Sequence, residues 1–144
     1  MRIIIVAAGK LKSGPEHELF QRYLRMTRWP IDLVEIDDRK AGAADRMRRA
    51  IPEAAVVVAL DARGEQVSSE TLAKKIAAWR DQDRDVVFLI GGADGLDPAL
   101  RGAADATIAF GAVTWPHLLA RALLAEQMYR AYSILTGHPY HRGG

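Results

Sequence analysis

Continuous apolar runs alternate with amphipathic segments along the whole chain. Residues 2–7 form a continuous run that is apolar after Arg2 and mostly β-branched, which is the pattern of a strand buried on both faces. Similar runs predict four further strands, at residues 31–36, 54–60, 85–90 and 107–110. In the first of these, apolar and polar residues alternate enough to place the strand near a sheet edge. Proline and cap residues predict helices between and after the strands, at residues 15–28, 41–50, 68–79, 97 onward and 116–135. This βαβαβαβαβα order predicts one α/β domain over residues 1–144, with a mostly parallel sheet flanked by helices.

The last predicted helix, residues 116–135, is apolar on nearly every side. Its few polar positions are Arg121, Glu126, Gln127 and Arg130. A helix that is apolar all round is expected to be buried all round, which predicts either a homodimer interface or a central place in the fold. We favour the dimer, and we expect Glu126 and Arg130 to pair across one helical turn.

Composition limits the chemistry that the chain can perform. Hydrophobic residues make up 49% and charged residues 26% of 144 residues, as in ordinary soluble domains. The sequence has no cysteine, so thiolate catalysis and cysteine metal sites are excluded, and we expect no metal. No apolar stretch reaches the length of a membrane span, and we expect a cytoplasmic protein. The net charge of +2 permits an RNA partner without requiring one.

Three loops that leave predicted strand ends have an unusual composition. They are Leu60-Asp61 with Gly64, residues 91–95 and residues 110–115. Ligands of parallel sheets bind beyond the carboxyl ends of the strands, where glycine lets the backbone approach them. The Gly91–Gly95 loop matches neither common phosphate-binding motif, and taken on its own it is better explained as a tight connection between a strand and a helix. The 110–115 loop has an aromatic residue at each end, which suits a flat heterocycle such as adenine.

Several sequence motifs occur together in this chain. LIGGADGL at 89–96 precedes FGAVTWPHLLARALLAEQMYRAYSI at 110–134, and HPYHR follows at 138–142. IIIVAAGKLK at 3–12 and LDARGEQVSSETLA at 60–73 accompany them. Together they resemble the SPOUT-class methyltransferases of the RlmH type over nearly the whole chain. The segment from Asp37 to Ile51 is shorter than in that family.

The resemblance implies a SPOUT-type α/β fold with a C-terminal trefoil knot, assembled as a homodimer. It implies that the substrate is a pseudouridine in helix 69 of 23S rRNA in the ribosome, methylated at N3 with S-adenosylmethionine as cofactor. Carried over by position, the residues that contact the cofactor are Leu60, Gly91, Phe110, Gly111, Ala112, Val113, Thr114 and Trp115. They lie in the same three loops that the strand-end argument selects.

Methylation at N3 requires loss of a proton, so a base or a stabiliser of the anion is expected. The candidate catalytic residues are Arg142, His138, His141 and Tyr140 in the tail and Arg130 on the last helix. We expect Arg142 to contact phosphate or the anion, and His138 or His141 to handle the proton. A tail of this kind can also be partly ordered and without catalytic role. We expect His117 to be structural or adjacent to the cofactor.

Basic residues outside the tail are candidates for contact with rRNA, although a solvated helix end explains the arginines equally well. They are Lys10, Lys12, Arg46, Arg48 and Arg49. Because the net charge is small, we expect recognition to depend on the shape of an assembled ribosomal target. Two alternatives stay open. One is a non-catalytic nucleotide-binding module that uses the loop 8–14 for phosphate, and the other is a SPOUT methyltransferase with a different RNA target.

Overall fold

The structure is a computed structural model that describes residues 1–11 and 13–142. Strands and helices alternate along the chain, as the hydrophobic pattern predicts. Their bounds are β1 (Ile3–Ala8), α1 (Pro15–Met26), β2 (Ile31–Ile36), α2 (Ala43–Arg49), β3 (Val56–Gln66), α3 (Ser69–Asp81), β4 (Val86–Ile90), α4 (Pro98–Ala103), β5 (Ala106–Ala109) and α5 (His117–Thr136).

The five strands form one parallel sheet in the order β2-β1-β4-β3-β5. The residues of β1 and β4 are buried throughout, because both strands have a neighbour on each side and helices above and below. Strand β2 lies at an edge and is only partly buried. The predicted parallel α/β architecture and the edge position of residues 31–36 are therefore confirmed.

Two apolar cores lie on opposite faces of the sheet. On one face, α1, α3 and α5 bury residues such as Phe20, Ile76 and Met128 against the strands. On the other face, α2 and α4 contribute Met47 and Leu100. This arrangement leaves the carboxyl ends of the strands uncovered by helix bodies, which is where ligands of such sheets bind.

The position of α5 corrects the sequence-based interpretation of this helix. It lies between α1 and α3 and against the sheet, so its burial is largely intramolecular. Leu124 and Met128 are fully buried within the chain, and Arg121, one of the few polar positions, is only 2% exposed. The apolar character of α5 is therefore not in itself evidence for a dimer. Leu118, Leu119 and Leu123 remain half-buried.

Strand β3 is longer than the predicted run of residues 54–60. Residues 65 and 66 pair with Ile108 and Ala109 after a register shift between Leu60 and Glu65. The prediction missed this extension because Asp61 and Arg63 are charged and read as a loop, whereas pairing with β5 continues beyond the bulge.

The helix ends follow the predicted capping chemistry. The side chain of Ser68 accepts a hydrogen bond from the backbone N–H of Thr71, and Asp97 caps α4 in the same way. Gly137 ends α5 in the left-handed conformation, with φ of 75°. Pro116 immediately precedes the first residue of α5, so this helix begins one residue later than predicted.

Candidate functional site

A cavity of about 880 Å³ opens at the carboxyl ends of β3, β4 and β5. Residues 60–63, 90–96 and 113–117 form most of its lining, together with the end of β5 and Ala120. These are the three loops that the sequence singled out, and the structure brings them together. Its volume lies within the range of small-molecule sites, roughly 300–1,000 Å³.

The loop that follows β5 is closed by one of its own side chains. The indole nitrogen of Trp115 donates a hydrogen bond to the carbonyl oxygen of Phe110 over 2.8 Å. The side chains of Val113 and Trp115 are nevertheless 60% and 41% exposed. Exposed apolar groups beside a cavity are suited to cover a flat, apolar ligand.

Gly91 is required by the packing of its own loop. A Cβ atom at this position would lie 2.6 Å from the carbonyl oxygen of Gly95, far inside van der Waals contact. The tight-connection interpretation of the Gly91–Gly95 loop therefore holds at this residue. The same compactness brings the backbone of this loop into the wall of the cavity.

Most of the predicted cofactor residues line the cavity: Leu60, Gly91, Phe110, Val113, Thr114 and Trp115. Gly111 and Ala112 belong to the same loop but lie outside the lining. Asp61 of the predicted Leu60-Asp61 loop also lines the cavity, as does His117, which we expected to be structural or adjacent to the cofactor. Arg63 is an addition that the sequence argument did not single out, and its place between Asp61 and Gly64 was the available signal.

Asp61 places a carboxylate on the cavity wall. Arg63 donates to Oδ1 of Asp61 from its backbone and from Nε, at 2.9 and 3.0 Å, and Arg101 lies 3.5 Å from Oδ2. The hydrogen bonds from the Arg63 side chain lower the pKa of Asp61 further below its ordinary value. Asp61 is therefore a negative charge at neutral pH.

Three of the five predicted catalytic residues, Arg130, Tyr140 and His141, meet at a second place together with Glu70 and Glu126. We call these five residues the tail cluster. The predicted pair is confirmed, with Arg130 2.7 Å from Oε1 of Glu126. The Tyr140 hydroxyl donates to the same oxygen over 3.0 Å. Nη1 of Arg130 lies 3.0 Å from Nδ1 of His141, whose Nε2 lies 2.8 Å from Glu70.

These contacts define protonation states in the tail cluster. Because Arg130 can only donate, Nδ1 of His141 accepts and Nε2–H donates a hydrogen bond to Glu70. The hydrogen bond from His141 lowers the pKa of Glu70, and the hydrogen bonds that Arg130 donates to Glu126 raise the pKa of Arg130. Burial, with hydrogen bonds to Tyr23 and Glu126, raises the pKa of Tyr140. Tyr140 is therefore a proton donor at neutral pH and not a base.

His138 and Arg142 lie on the exposed side of the tail. Nδ1 of His138 accepts from the backbone N–H of Tyr140 over 3.2 Å, and its ring is 6.2 Å from that of Tyr129. Nε of Arg142 donates to the carbonyl oxygen of Pro139 over 3.0 Å. The tail is thus folded back on α5.

The cavity and the tail cluster are separate in one chain. The cavity touches α5 at His117 and Ala120, whereas the tail cluster is attached at Glu126 and Arg130. At about 1.5 Å per residue of α-helix, Glu126 lies about 9 Å and Arg130 about 15 Å along the helix axis from Ala120. The structure therefore does not bring the predicted catalytic residues to the predicted cofactor residues within one chain.

The basic residues outside the tail differ in their surroundings. Arg46 donates to the carbonyl oxygens of Asp37 and Ala41 at 2.6 and 2.7 Å, so it stabilises the turn before α2. Arg48 pairs with Asp45, and Lys10 and Arg49 are exposed. Lys12 lies outside the described residues.

Within residues 1–11 and 13–142, the helices are all too short or too polar to cross a bilayer. The same part of the chain contains no cluster of three or more His, Asp or Glu side chains that could hold a metal ion.

Comparison with known proteins supplies the family. Residues 1–141 match the family described as "Predicted SPOUT methyltransferase". Proteins named "Ribosomal RNA large subunit methyltransferase H" from Paracoccus denitrificans and Roseobacter denitrificans are 49% and 50% identical, over 99% of both chains in each case. The relative of the same name from Rhodospirillum centenum is 46% identical with the same coverage.

Solved structures agree on the fold. A probable methylase family protein from Haemophilus influenzae aligns with a TM-score of 0.65 at 13% identity, over 98% of this chain and 70% of its own. The SpoU methyltransferase AviRb from Streptomyces viridochromogenes, solved in complex with AdoMet, aligns with a TM-score of 0.53 at 14% identity, over 90% of this chain and 57% of its own. On its sequence and its parallel sheet, the chain belongs to the SPOUT methyltransferase family.

Proposed function

We propose that this protein transfers a methyl group from S-adenosylmethionine to N3 of a pseudouridine in helix 69 of 23S rRNA. The observation that carries the proposal is the cavity built by the three loops after β3, β4 and β5, in a family member whose relatives are named large-subunit rRNA methyltransferases. The acceptor is the rRNA of the assembled ribosome, in the cytoplasm. Residues 1–144 act as one methyltransferase domain.

The lining of the cavity fits S-adenosylmethionine. Val113 and Trp115 offer apolar surface to an adenine ring, and the backbone of residues 110–115 offers polar groups to its edge. The ionised carboxylate of Asp61 suits a ligand with positive charge. S-adenosylmethionine supplies a methyl group on a positively charged sulfur, open to direct displacement by a ring nitrogen. The chain therefore has to align the acceptor and remove its proton.

A second copy of the chain completes the site in this proposal. The tail cluster lies about 9 to 15 Å along α5 from the cavity of its own chain and does not line that cavity. A two-fold homodimer can bring the tail of each subunit to the cavity of the other. Half-buried Leu118, Leu119 and Leu123, with exposed Val113, supply apolar surface for the contact.

The residues of the tail have separate roles in the proposed reaction. Arg142 contacts a phosphate or the anion of the acceptor, because its guanidinium is exposed and always charged. His138 or His141 handles the N3 proton. Tyr140 stays protonated and, with Arg130, orients the tail through Glu126.

The alternatives fare differently. Membership of a methyltransferase family argues against a function as a non-catalytic nucleotide-binding module. In addition, Arg121 binds the carbonyl oxygens of Ala8 and Gly9 in the loop assigned to phosphate. A different RNA target is disfavoured by relatives that are named large-subunit rRNA methyltransferases along their whole length.

The proposal is tested by transfer of labelled methyl from S-adenosylmethionine to ribosomes that lack this modification, with protein-free 23S rRNA in parallel. We expect label only in ribosomes, on the helix 69 pseudouridine. Label at another nucleotide would contradict the proposed substrate. Equal label in free rRNA would contradict the proposal that the protein recognises the assembled ribosome.

A further inference from the structure

Arg121 is a buried charge at the carboxyl end of β1. Its side chain is 2% exposed, and Nη1 lies 2.6 Å from Oε2 of Glu35 on β2. Nη2 donates to the carbonyl oxygens of Ala8 and Gly9 at 3.2 and 2.6 Å, while Nε has no partner among the described residues. Burial of an ion pair is costly, and apolar residues of similar volume often stabilise a fold as well or better. The pair therefore calls for an explanation beyond stability.

The Arg121–Glu35 pair controls the turn at residues 8–11, which we call the β1–α1 turn. Glu35 accepts a second hydrogen bond, from the backbone N–H of Leu11, over 2.8 Å. Gly9 is held in the left-handed region, with φ of 96°, where L side chains are strained. The backbone groups of the turn are thus bound by two side chains from distant parts of the chain.

The β1–α1 turn lies beside the cofactor cavity. A Cβ atom on Gly9 would lie 3.8 Å from Nε2 of His117, which lines the cavity, and 3.8 Å from Oδ1 of Asp38. Strand β1 neighbours β4 on the side opposite β3. The turn therefore lies behind His117, on the side of the cavity away from the β3 and β5 loops, and the exposed Lys10 follows Gly9.

We propose that the Arg121–Glu35 pair is a positioning device for the RNA acceptor. It holds the β1–α1 turn against His117, so that the turn forms the wall on which the acceptor nucleotide rests while the other loops hold the cofactor. Arg121 acts through the turn and does not itself touch the reacting atoms. This inference rests on the proposed function, because it assigns a wall of the same site to the rRNA.

The variant Arg121→Lys tests the inference. Lysine keeps the charge and the buried stem, but a single ammonium group cannot bridge Glu35 and both carbonyl oxygens. A small misplacement of an acceptor costs up to about 100-fold in rate, so we expect kcat for ribosomes to fall by roughly 10- to 100-fold. We expect the Kd for S-adenosylmethionine to stay near the wild-type value and the melting temperature to fall by several degrees, because buried carbonyl oxygens lose a donor. The matched control Arg22→Lys, on the exposed face of α1, should transfer methyl at the wild-type rate.

Two further variants separate position from stability. Glu35→Gln keeps an oxygen that can accept from Leu11 and Arg121, and we expect it to retain most of the transfer activity. The double variant Arg121→Met with Glu35→Leu removes both charges, so it can be assayed in place of Arg121→Lys if that variant fails to fold. We expect it to fold and bind cofactor but to transfer slowly.

Wild-type transfer by a folded Arg121→Lys or by the double variant would overturn the inference, as would a loss of cofactor affinity in parallel with transfer. Failure of the wild type and of Arg22→Lys on the same ribosomes would instead contradict the proposed function.

Discussion

Trp115 has two separable contacts in the loop that follows β5. Its ring lies partly exposed on the cavity wall, and its indole nitrogen closes the loop on the carbonyl oxygen of Phe110 over 2.8 Å. Phenylalanine at this position retains an aromatic face but has no donor. The contribution of the closed loop can therefore be measured apart from that of the aromatic surface.

We expect Trp115→Phe to weaken S-adenosylmethionine binding about fivefold, since one hydrogen bond contributes about 1 kcal/mol net. Isothermal titration calorimetry measures this change. Trp79→Phe on α3, which removes an indole outside the cavity, is the matched control and should leave the Kd unchanged. An unchanged Kd for Trp115→Phe would show that the hydrogen bond does not shape the site.

Arg142 provides the corresponding test for the tail. Removal of a group that stabilises developing charge commonly costs about 100-fold or more in kcat, and we expect a loss of this order for Arg142→Ala. The Kd for S-adenosylmethionine should not change, because the tail lies outside the cavity. Arg25→Ala, at another exposed arginine, is the control for general loss of positive charge. A parallel loss of cofactor affinity would contradict this role.

Among the elements, α5 connects the cavity with the tail cluster. Its first turn borders the cavity, its middle is packed between α1 and α3, and its end carries the tail. Movement of this helix would therefore change the cavity and the tail cluster at once.

We expect Leu124→Ala to lower the free energy of unfolding by roughly 3 kcal/mol, because it leaves a cavity in a fully buried part of α5. Urea denaturation followed by circular dichroism gives the value. Leu19→Ala on α1, where the side chain is 40% exposed, should change it by about 0.5 kcal/mol or less. Similar losses for both variants would contradict the central position of α5.

The connection between α5 and the edge strand β2 predicts a pH dependence. Burial raises the pKa of Glu35, but hydrogen bonds from Leu11 and Arg121 outweigh this effect and lower it below 4.5. A carboxyl whose pKa is lowered in the folded state stabilises the fold above its unfolded pKa and loses this contribution as the pH falls through the folded value.

Between pH 6 and pH 3, the free energy of unfolding should therefore fall less in Glu35→Gln than in the wild type, as measured by urea denaturation. Asp32→Asn, also on β2, is the control and should follow the wild type. Equal acid sensitivity of Glu35→Gln and the wild type would contradict the predicted linkage.

The sequence predicted those elements that are determined by local patterns. Apolar runs such as residues 3–8 and caps such as Ser68 specify their own structure. The extension of β3 was missed because its pairing with β5 is non-local and its residues are charged. The place of α5 between α1 and α3, and the ion pair between Arg121 and Glu35, also depend on contacts between residues far apart in sequence.

The site was predicted to a similar extent. The strand-end rule located the three loops, and the resemblance supplied the cofactor and the individual residues. No local pattern could show that the tail cluster lies about 9 to 15 Å along α5 from the cavity. That separation depends on where the tail folds back onto α5, which is decided by non-local contacts such as the hydrogen bond from Tyr140 to Glu126. The trefoil knot stays a prediction of the resemblance.

At the scale of the whole molecule, the proposed function uses a cavity and a tail that one chain keeps apart. In this proposal each active site is therefore assembled from two subunits. A heterodimer in which one subunit carries Trp115→Ala and the other Arg142→Ala separates the possibilities. If each tail serves its own cavity, each site carries one defect. If each tail serves the partner's cavity, one site carries both defects and the other carries none.

The decisive measurement is methyl transfer to ribosomes by this heterodimer, purified through two different affinity tags. If tails act on the partner's cavity, one site is intact and the other carries both defects, so we expect about half of the wild-type rate. Each variant homodimer should be nearly inactive. A heterodimer as inactive as the two homodimers would show that each tail serves its own cavity and would contradict the account.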